Sequence, residues 1–227
     1  MQQALLPGTT YQNVSGGDPP AIPDLTYASL KTFHETFYHP SNSKFVTYGD
    51  LPLEDHLKQI DESTLKHFTK QVANFDQGNL EKFAQPTEIR VGGPYDSGLP
   101  PYHQVALSFL TNQVTDSFES FTMRVLSSLL VDGPSSPLYQ ALLDSKLGTN
   151  FTMGTGYNGD FRDTFFSVGV TGVQPSDVDK IEDVVLGTLK EVSEKGFPSE
   201  VVDAKLSIIE LSSKYVCFPF FSFFFRF

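Results

Sequence analysis

The residues that come closest to a metal-binding pattern are two histidines, His34 and His39, with Glu35 beside the first. Histidines that share a metal ion on a helix lie three or four residues apart, so that both side chains face it. A spacing of five places them roughly 140° apart on a helix of 3.6 residues per turn, and Pro40 ends any helix at this point. We therefore predict a capping or half-buried histidine here, and no metal ligand.

A second pattern, Gly154–Gly159, matches the letters of the dinucleotide-binding motif G-x-G-x-x-G. That motif works only between a strand and a helix, because the helix N-terminus meets the pyrophosphate. The residues that follow, Asp160 to Thr171, alternate between polar and apolar like a strand. We therefore predict a glycine-rich hairpin connection.

The sequence offers no nucleophile with the partners it would need. It has no G-x-S-x-G motif, and its single cysteine, Cys217, lies in a phenylalanine-rich C-terminal segment. One cysteine also excludes an internal disulfide framework and a cysteine-rich zinc module. We name no catalytic residue and no metal ligand in this chain.

The charge balance limits the class of partner. Sixteen basic residues stand against 27 acidic ones, which gives a net charge of −11. Nucleic acids and anionic membranes bind basic surfaces, because cationic side chains replace their counterions. We therefore expect neither among the partners.

Helix and strand signals in the first 86 residues are short. Thr26 is a candidate N-cap of a helix that His39–Pro40 ends, and Pro52 opens a second helix. Phe45–Tyr48 has the composition of a short strand. Residues 69–86 are polar and without period, which is typical of a linker.

From Thr87 the pattern indicates a compact α+β unit. It predicts strands at Glu88–Val91, Gln104–Leu110, 149–155 and 162–171, and helices that begin near Asp116, Ser136, Ser176 and Ser199. Phe118 and Phe121 are expected on the apolar face of the first of these helices. The order β-β-α-α-β-β-α-α predicts an antiparallel sheet with helices packed on it.

Several segments resemble, in chain order, those of the presequence proteases, which are zinc metallopeptidases of the pitrilysin/insulinase (inverted-zincin) class. The resemblance runs from about residue 4 to residue 214. The segments are Tyr11–Pro19, Phe37–Gly49, Pro52–Ile60, Leu126–Tyr139, Gly156–Gly159, Phe165–Gly169 and Glu191–Phe197. The resemblance implies an incomplete pitrilysin-like domain of the LuxS/peptidase type.

The resemblance implies an ATP-independent peptidase of four related α+β domains that close around a peptide-sized chamber. Such enzymes degrade mitochondrial targeting presequences and other short unstructured peptides in the mitochondrial matrix. Their zinc lies on an H-x-x-E-H helix whose Glu activates the zinc-bound water. That motif occurs nowhere in this sequence. Zinc is thus expected in the full-length enzyme and not in this chain, which would be inactive alone.

The resemblance also implies a substrate-binding role for one edge strand and a neighbouring glycine-rich turn, which would hold a peptide by β-augmentation. The matching residues are Gly133, Ser135, Ser136, Phe151, Thr152, Met153 and Gly154. A helix cap beside an ordinary edge strand is the alternative reading of these segments. For the whole chain, the alternative is a non-catalytic pitrilysin-like interaction or structural module.

The resemblance suggests a division of the chain into four parts. Residues 1–50 would be the C-terminal end of the first peptidase domain, 51–86 a helix and linker, and 87–215 a partial second domain. Residues 216–227 hold seven of the 21 phenylalanines and have no counterpart in the family pattern. We expect this tail to come from read-through or an alternative exon.

Overall fold

A computed structural model describes residues 2–72, 77–93 and 103–215 of the chain. These residues form two compact units, one of residues 6–82 and the other of residues 2–5, 83–93 and 103–215. The second unit includes a short helix, α1 (Gln2–Leu5). The sequence predicts a Gly/Pro-rich connecting loop at 92–101; its residues 94–101 and the phenylalanine-rich segment 216–227 lie outside the described residues.

The unit of residues 6–82 contains helices α2 (Tyr27–Phe37) and α3 (Leu53–Ser63). The predicted N-cap of α2 is confirmed: the Ser29 amide donates to Thr26 Oγ1 over 3.1 Å, and the Thr26 amide donates to Ser29 Oγ over 3.1 Å. This reciprocal capping box satisfies amides that the first turn of a helix leaves without partners. Short 3-10 turns lie at Thr10–Gln12, Ile22–Asp24, Pro40–Asn42 and Leu65–His67.

Two predicted strands are wrong. Phe45–Tyr48 and Glu88–Val91 lie in described parts of the chain, and neither pairs with a neighbour there. Their apolar side chains are exposed, up to 90% for Val46. A strand needs a partner to satisfy its backbone, and β-propensity alone does not supply one.

An antiparallel sheet forms the centre of the other unit. Its strands are β1 (His103–Gln113), β2 (Asn150–Phe151), β3 (Gly156–Asn158) and β4 (Asp163–Val173). β4 is central: β1 pairs along one side of it, and β2 and β3 pair with successive parts of its other side. The α+β class and the antiparallel sheet predicted from the sequence are confirmed.

Helices cover one face of this sheet. They are α4 (Ser117–Val131), α5 (Pro137–Tyr139), which continues as a π-helical turn (Gln140–Asp144), α6 (Val178–Lys195) and α7 (Ser199–Tyr215). The buried core that joins them to the sheet consists of Leu130, Val131, Leu138, Leu142, Phe166, Val168, Val170, Val173, Ile181 and Val185. The sequence pattern predicts that Thr164, Phe166, Val168 and Val170 share one face of β4, and all four are buried. Phe165 and Ser167 on the opposite face are buried as well.

Four details of this unit differ from the predictions. The observed order is β-α-α-β-β-β-α-α, because 88–91 is unpaired and the predicted strand 149–155 is interrupted by a turn. The helix predicted from Ser136 towards Gly148 changes to the π form after Tyr139. Phe118 is 79% exposed and Phe121 is also exposed, so the inward face of α4 is narrower than predicted.

In the part of the chain that the structure describes, no helix is both long and apolar enough to cross a membrane.

Candidate functional site

The glycine-rich turn of the candidate site lies between α4 and α5. Gly133 has a φ of 89°, a left-handed conformation that favours glycine. Its carbonyl accepts hydrogen bonds from the Ser136 amide over 3.0 Å and from Ser136 Oγ over 2.8 Å. Ser136 is buried, whereas Gly133 and Ser135 are exposed. The Ser136 hydroxyl therefore stabilises the turn, and the exposed backbone of residues 133–135 is what a ligand could reach.

The turn is tied to the last helix of the unit. Lys205 Nζ on α7 donates to the carbonyl of Asp132, the residue just before Gly133, over 3.1 Å. A cation at the C-terminal end of α4 also faces the negative end of that helix dipole. The position of the turn thus depends on how α7 packs against α4.

The predicted edge strand is shorter than expected. β2 spans Asn150 and Phe151, and its ladder extends to Thr152, whose amide donates to the Gly169 carbonyl over 2.9 Å. The chain then turns: the Thr155 amide donates to the Thr152 carbonyl over 3.1 Å, and Gly154 has a φ of 87°. A left-handed residue at this position is typical of a type II turn, and it breaks the strand.

Met153 lies at the apex of this turn and is 99% exposed. Below it, Asn158 Nδ2 donates to the carbonyls of Gly154 and Gly156 over 3.0 Å each. These bonds stabilise the turn from within. The segment Gly154–Gly159 thus forms a turn and the short strand β3, and the next element is the strand β4. A dinucleotide-binding motif would be followed by a helix, so the prediction of a hairpin connection is confirmed.

An aromatic contact links the edge strand to the helix that follows the glycine-rich turn. The rings of Tyr139 on α5 and Phe151 on β2 meet edge to face, with centroids 6.1 Å apart. Tyr139 is the last residue of α5 and lies three residues after Ser136, so the contact joins the end of this short helix to the edge strand. The interpretation of the two segments as one site has this contact as its structural basis.

Side chains occupy the outward amides of this edge. Thr152 bonds to β4, so by the alternation of an antiparallel ladder the backbone of Phe151 faces away from β4. Its amide donates to Asn150 Oδ1 over 2.9 Å. On β3, the outward amide of Tyr157 donates to Ser127 Oγ of α4 over 2.9 Å.

The sequence predictions missed Asn150 and Ser127, which cap this edge. The signal at position 150 is recognisable: an asparagine at the first position of a strand can accept a hydrogen bond from a nearby backbone amide. No local signal marks Ser127, because its partner lies 30 residues away.

The resolved pKa shifts belong to residues outside the candidate site. The hydrogen bond to Glu88 raises the pKa of Arg90, with further contributions from the charges of Glu88 and Asp179. The hydrogen bond from Lys195 lowers the pKa of Glu191. Both groups lie in exposed ion pairs, and neither belongs to the candidate edge.

The sequence matches a family model. Residues 24–208 match the model described as "Peptidase M16 inactive domain". This chain belongs to that family. The match contains α2, α3, the whole sheet and α6, so the family assignment includes every element of the candidate site.

Curated relatives agree with this assignment. The chain is 44% identical over 218 residues to "Presequence protease, mitochondrial" of Xenopus laevis, a match that covers 95% of this chain and 21% of that protein. The same protein of Mus musculus is 44% identical over the same length, and that of Schizosaccharomyces pombe is 42% identical over 216 residues. The resemblance to presequence proteases is therefore confirmed, and the chain spans about one fifth of the length of these relatives.

Solved structures confirm the fold. A peptidase M16 inactive domain from Pseudomonas fluorescens superposes with a TM-score of 0.69 at 19% identity, over 94% of this chain and 50% of that chain. A protease from Helicobacter pylori gives a TM-score of 0.59 at 18% identity, over 92% of this chain and 49% of that chain. The pitrilysin-like interpretation of the fold is thus confirmed.

The described residues do not form a zinc site. Among the described residues, no three His, Cys, Asp or Glu side chains converge so that they could hold a metal ion. His39 Nδ1 accepts a hydrogen bond from the Ser41 amide over 3.1 Å and the ring packs edge-on against Phe68. The prediction of a capping histidine is confirmed, and no catalytic step is assigned to this chain.

Proposed function

We propose that this chain is a non-catalytic part of an ATP-independent zinc metallopeptidase that degrades targeting presequences and other short unstructured peptides in the mitochondrial matrix. The observation that carries the proposal is the 44% identity to the Xenopus laevis relative over 95% of the chain. The match to an inactive peptidase domain supports a role without zinc or catalytic residues. Zinc and the catalytic groups would then lie in other domains of the same polypeptide, which would be the main partners of this chain.

Within this function, we propose that the edge formed by Gly133, Ser135, Ser136, Phe151, Thr152, Met153 and Gly154 holds a substrate peptide. The exposed turn at Gly133, the outward backbone of Phe151 and the exposed Met153 support it. Backbone hydrogen bonds suit a peptidase with varied substrates, because they do not depend on side-chain identity. A peptide that pairs with Phe151 would displace the Asn150 side chain from its amide.

The proposed function can be tested with a chimera of the Xenopus laevis relative that carries the 218 matched residues of this chain. We expect the chimera to hydrolyse a presequence peptide with a zinc-dependent rate within about tenfold of the parent enzyme, or about 1.4 kcal/mol in barrier height. The chain alone should neither bind stoichiometric zinc nor hydrolyse the peptide. A second chimera with Val168→Asp in the buried core is the control for loss of fold.

Two outcomes would contradict the proposal. Zinc-dependent hydrolysis by the 227-residue chain alone would place an active site in it. A chimera that folds, binds zinc and does not cleave the peptide would favour the non-catalytic interaction module.

The proposed peptide edge can be tested in the same chimera with Met153→Pro. Proline suits the first central position of a type II turn, so the turn should persist while the exposed amide is lost. We expect KM for the peptide to rise about three- to tenfold at constant kcat, which corresponds to one hydrogen bond. Met153→Ala keeps the amide and should leave KM unchanged. Equal KM values for the two variants would remove this residue from the site.

A further inference from the structure

The other edge of the sheet, along β1, is long, and no strand of the described residues pairs with its outer side. β1 spans 11 residues, and in the described residues β4 is the strand that pairs with it, along one side only. From His103 to Gln113 it contains no Lys, Arg, Asp, Glu or Pro. Natural sheets protect their edges with charged side chains, prolines or very short strands. β1 has none of these three devices; its register with β4 shifts between His103 and Val105 and between Leu110 and Gln113, so its regular edge spans residues 105–110.

The register identifies the backbone groups that point outward from β1. The carbonyls of Gly169 and Thr171 on β4 accept bonds from the β2 side, whereas Arg162, just before β4, accepts from Val114 on the β1 side. Even-numbered residues of β4 therefore bond to β1. Their partners at Val170, Val168 and Phe166 are Val105, Leu107 and Phe109. The alternate residues Ala106, Ser108 and Leu110 thus direct their amides and carbonyls to the open side.

The spacing of the outward amides and carbonyls of β1 indicates which class of partner could bind there. Outward residues two apart in a strand repeat every ~6.6 Å, the spacing at which another extended backbone presents its own amides and carbonyls. The side chains beside them are small or apolar and carry no charge. The edge therefore fits a β-strand. It has no Lys, Arg, Asp or Glu side chain that could pair with a charged partner.

The predicted strand Glu88–Val91 does not fill this edge. Arg90 donates a hydrogen bond to Glu88 and lies 3.7 Å from Asp179 of α6, and Ile89 and Val91 are exposed. Pairing with a second copy would bring together two chains that each carry a net charge of −11, which opposes self-association.

We propose that the open edge of β1 is completed by an extended strand from another part of the same polypeptide, within the four fifths of the relatives' length that this chain does not match. This inference rests on the proposed function, because it takes the chain as part of a larger enzyme. The length comparison supports it: the structure matches only half of the Pseudomonas fluorescens chain and a fifth of the Xenopus laevis protein. Addition of a strand would satisfy the amides and carbonyls of Ala106, Ser108 and Leu110.

Residue-resolved amide exchange tests this proposal in the 227-residue chain and in the chimera described above. In the chain alone, the amides of Ala106, Ser108 and Leu110 should exchange rapidly, while those of Val105, Leu107 and Phe109 are protected. In the chimera, the first set should slow by at least about tenfold and the second set should remain protected. Rapid exchange of the first set in both proteins would overturn the proposal.

Two further outcomes separate the alternatives. Protection in the chain alone that grows with concentration, together with a doubled mass in light scattering, would assign the edge to a second copy and overturn the proposal. Protection in the chain alone at a monomeric mass would assign it to a segment of this chain and overturn it too. A chimera that protects the edge without cleaving peptide would contradict the proposed function and leave this inference standing.

If the chimera does not fold, a proline in the full-length Xenopus laevis relative, at the position that aligns with Ala106, provides a second test. Proline removes an outward amide and should lower the yield of folded, protease-resistant enzyme several-fold. Glycine at the same position keeps the amide and should have a smaller effect. Equal yields of the parent and proline proteins would contradict the proposal.

Discussion

The two edges of the sheet are built in opposite ways. On the short edge, side chains of the chain itself occupy the outward amides: Asn150 accepts from Phe151, and Ser127 accepts from Tyr157. On the long edge, β1 runs for 11 residues without a charged side chain or a proline. One sheet thus has an edge that is already capped and an edge suited to another strand.

This difference indicates that the two edges pair with an added strand in different ways, one reversibly and the other permanently. A capped edge can exchange its side-chain acceptor for a peptide backbone and recover it when the peptide leaves, so its binding is reversible and weak. An uncapped edge of apolar composition is an aggregation hazard unless it is permanently paired. Transient substrates suit the first edge, and permanent partners suit the second.

The largest expected effect is a difference in stability between two proline substitutions in β1. One replaces a residue whose amide bonds to β4, and the other replaces a residue whose amide points outward. Leu107 faces Val168 in the ladder, so Leu107→Pro removes a donor and leaves a buried carbonyl without a partner. We expect a loss of about 3 kcal/mol or more in the free energy of unfolding, from the unsatisfied carbonyl and the lost packing of Leu107. Ala106→Pro removes an outward amide and should cost less than about 1 kcal/mol. Urea unfolding of both variants measures the difference.

The assignment of inward and outward residues depends on this result. Equal losses for the two variants would mean that both amides have partners in the folded chain. The edge of β1 would then not be open, and the contrast with the β2 edge would disappear.

Local signals in the sequence were sufficient for the elements that depend on near neighbours. The predicted N-cap Thr26 and its partner Ser29 lie within four residues of each other. The alternation in β4 predicts which residues share a face because the period of a strand is fixed by its geometry. Each of these features is determined by residues close together in the chain.

Features that need a distant partner could not be predicted. Phe45–Tyr48 and Glu88–Val91 have strand composition, but the described residues provide no strand beside them. The cap at Ser127 depends on an amide 30 residues away. The sequence indicates the candidate peptide edge only through family resemblance, whereas the turn at Met153 and the cap at Asn150 follow from the structure.

A moderate effect is expected where α4 caps the short edge. Ser127 is buried and its hydroxyl accepts the outward amide of Tyr157. Ser127→Ala leaves that amide without a partner and should cost about 1–3 kcal/mol in the free energy of unfolding. Ser128→Ala, the next residue on the same helix, is the matched control and should change it by less than about 0.5 kcal/mol. Thermal or urea unfolding that gives the same value for both would show that the Tyr157 amide has another acceptor.

The smallest effect on stability, and the most informative for peptide binding, is expected at Asn150. Its side chain is exposed with Phe151 only partly buried, so Asn150→Ala should change the free energy of unfolding by less than about 0.5 kcal/mol. The Phe151 amide loses its acceptor and should exchange with solvent about tenfold faster. Asn150→Asp keeps an acceptor oxygen and should retain slow exchange. In the peptidase chimera, Asn150→Ala should also lower KM for the peptide, because the substrate no longer competes with the side chain for that amide. An unchanged KM with faster exchange would mean that Asn150 caps the edge but that peptides do not pair with Phe151.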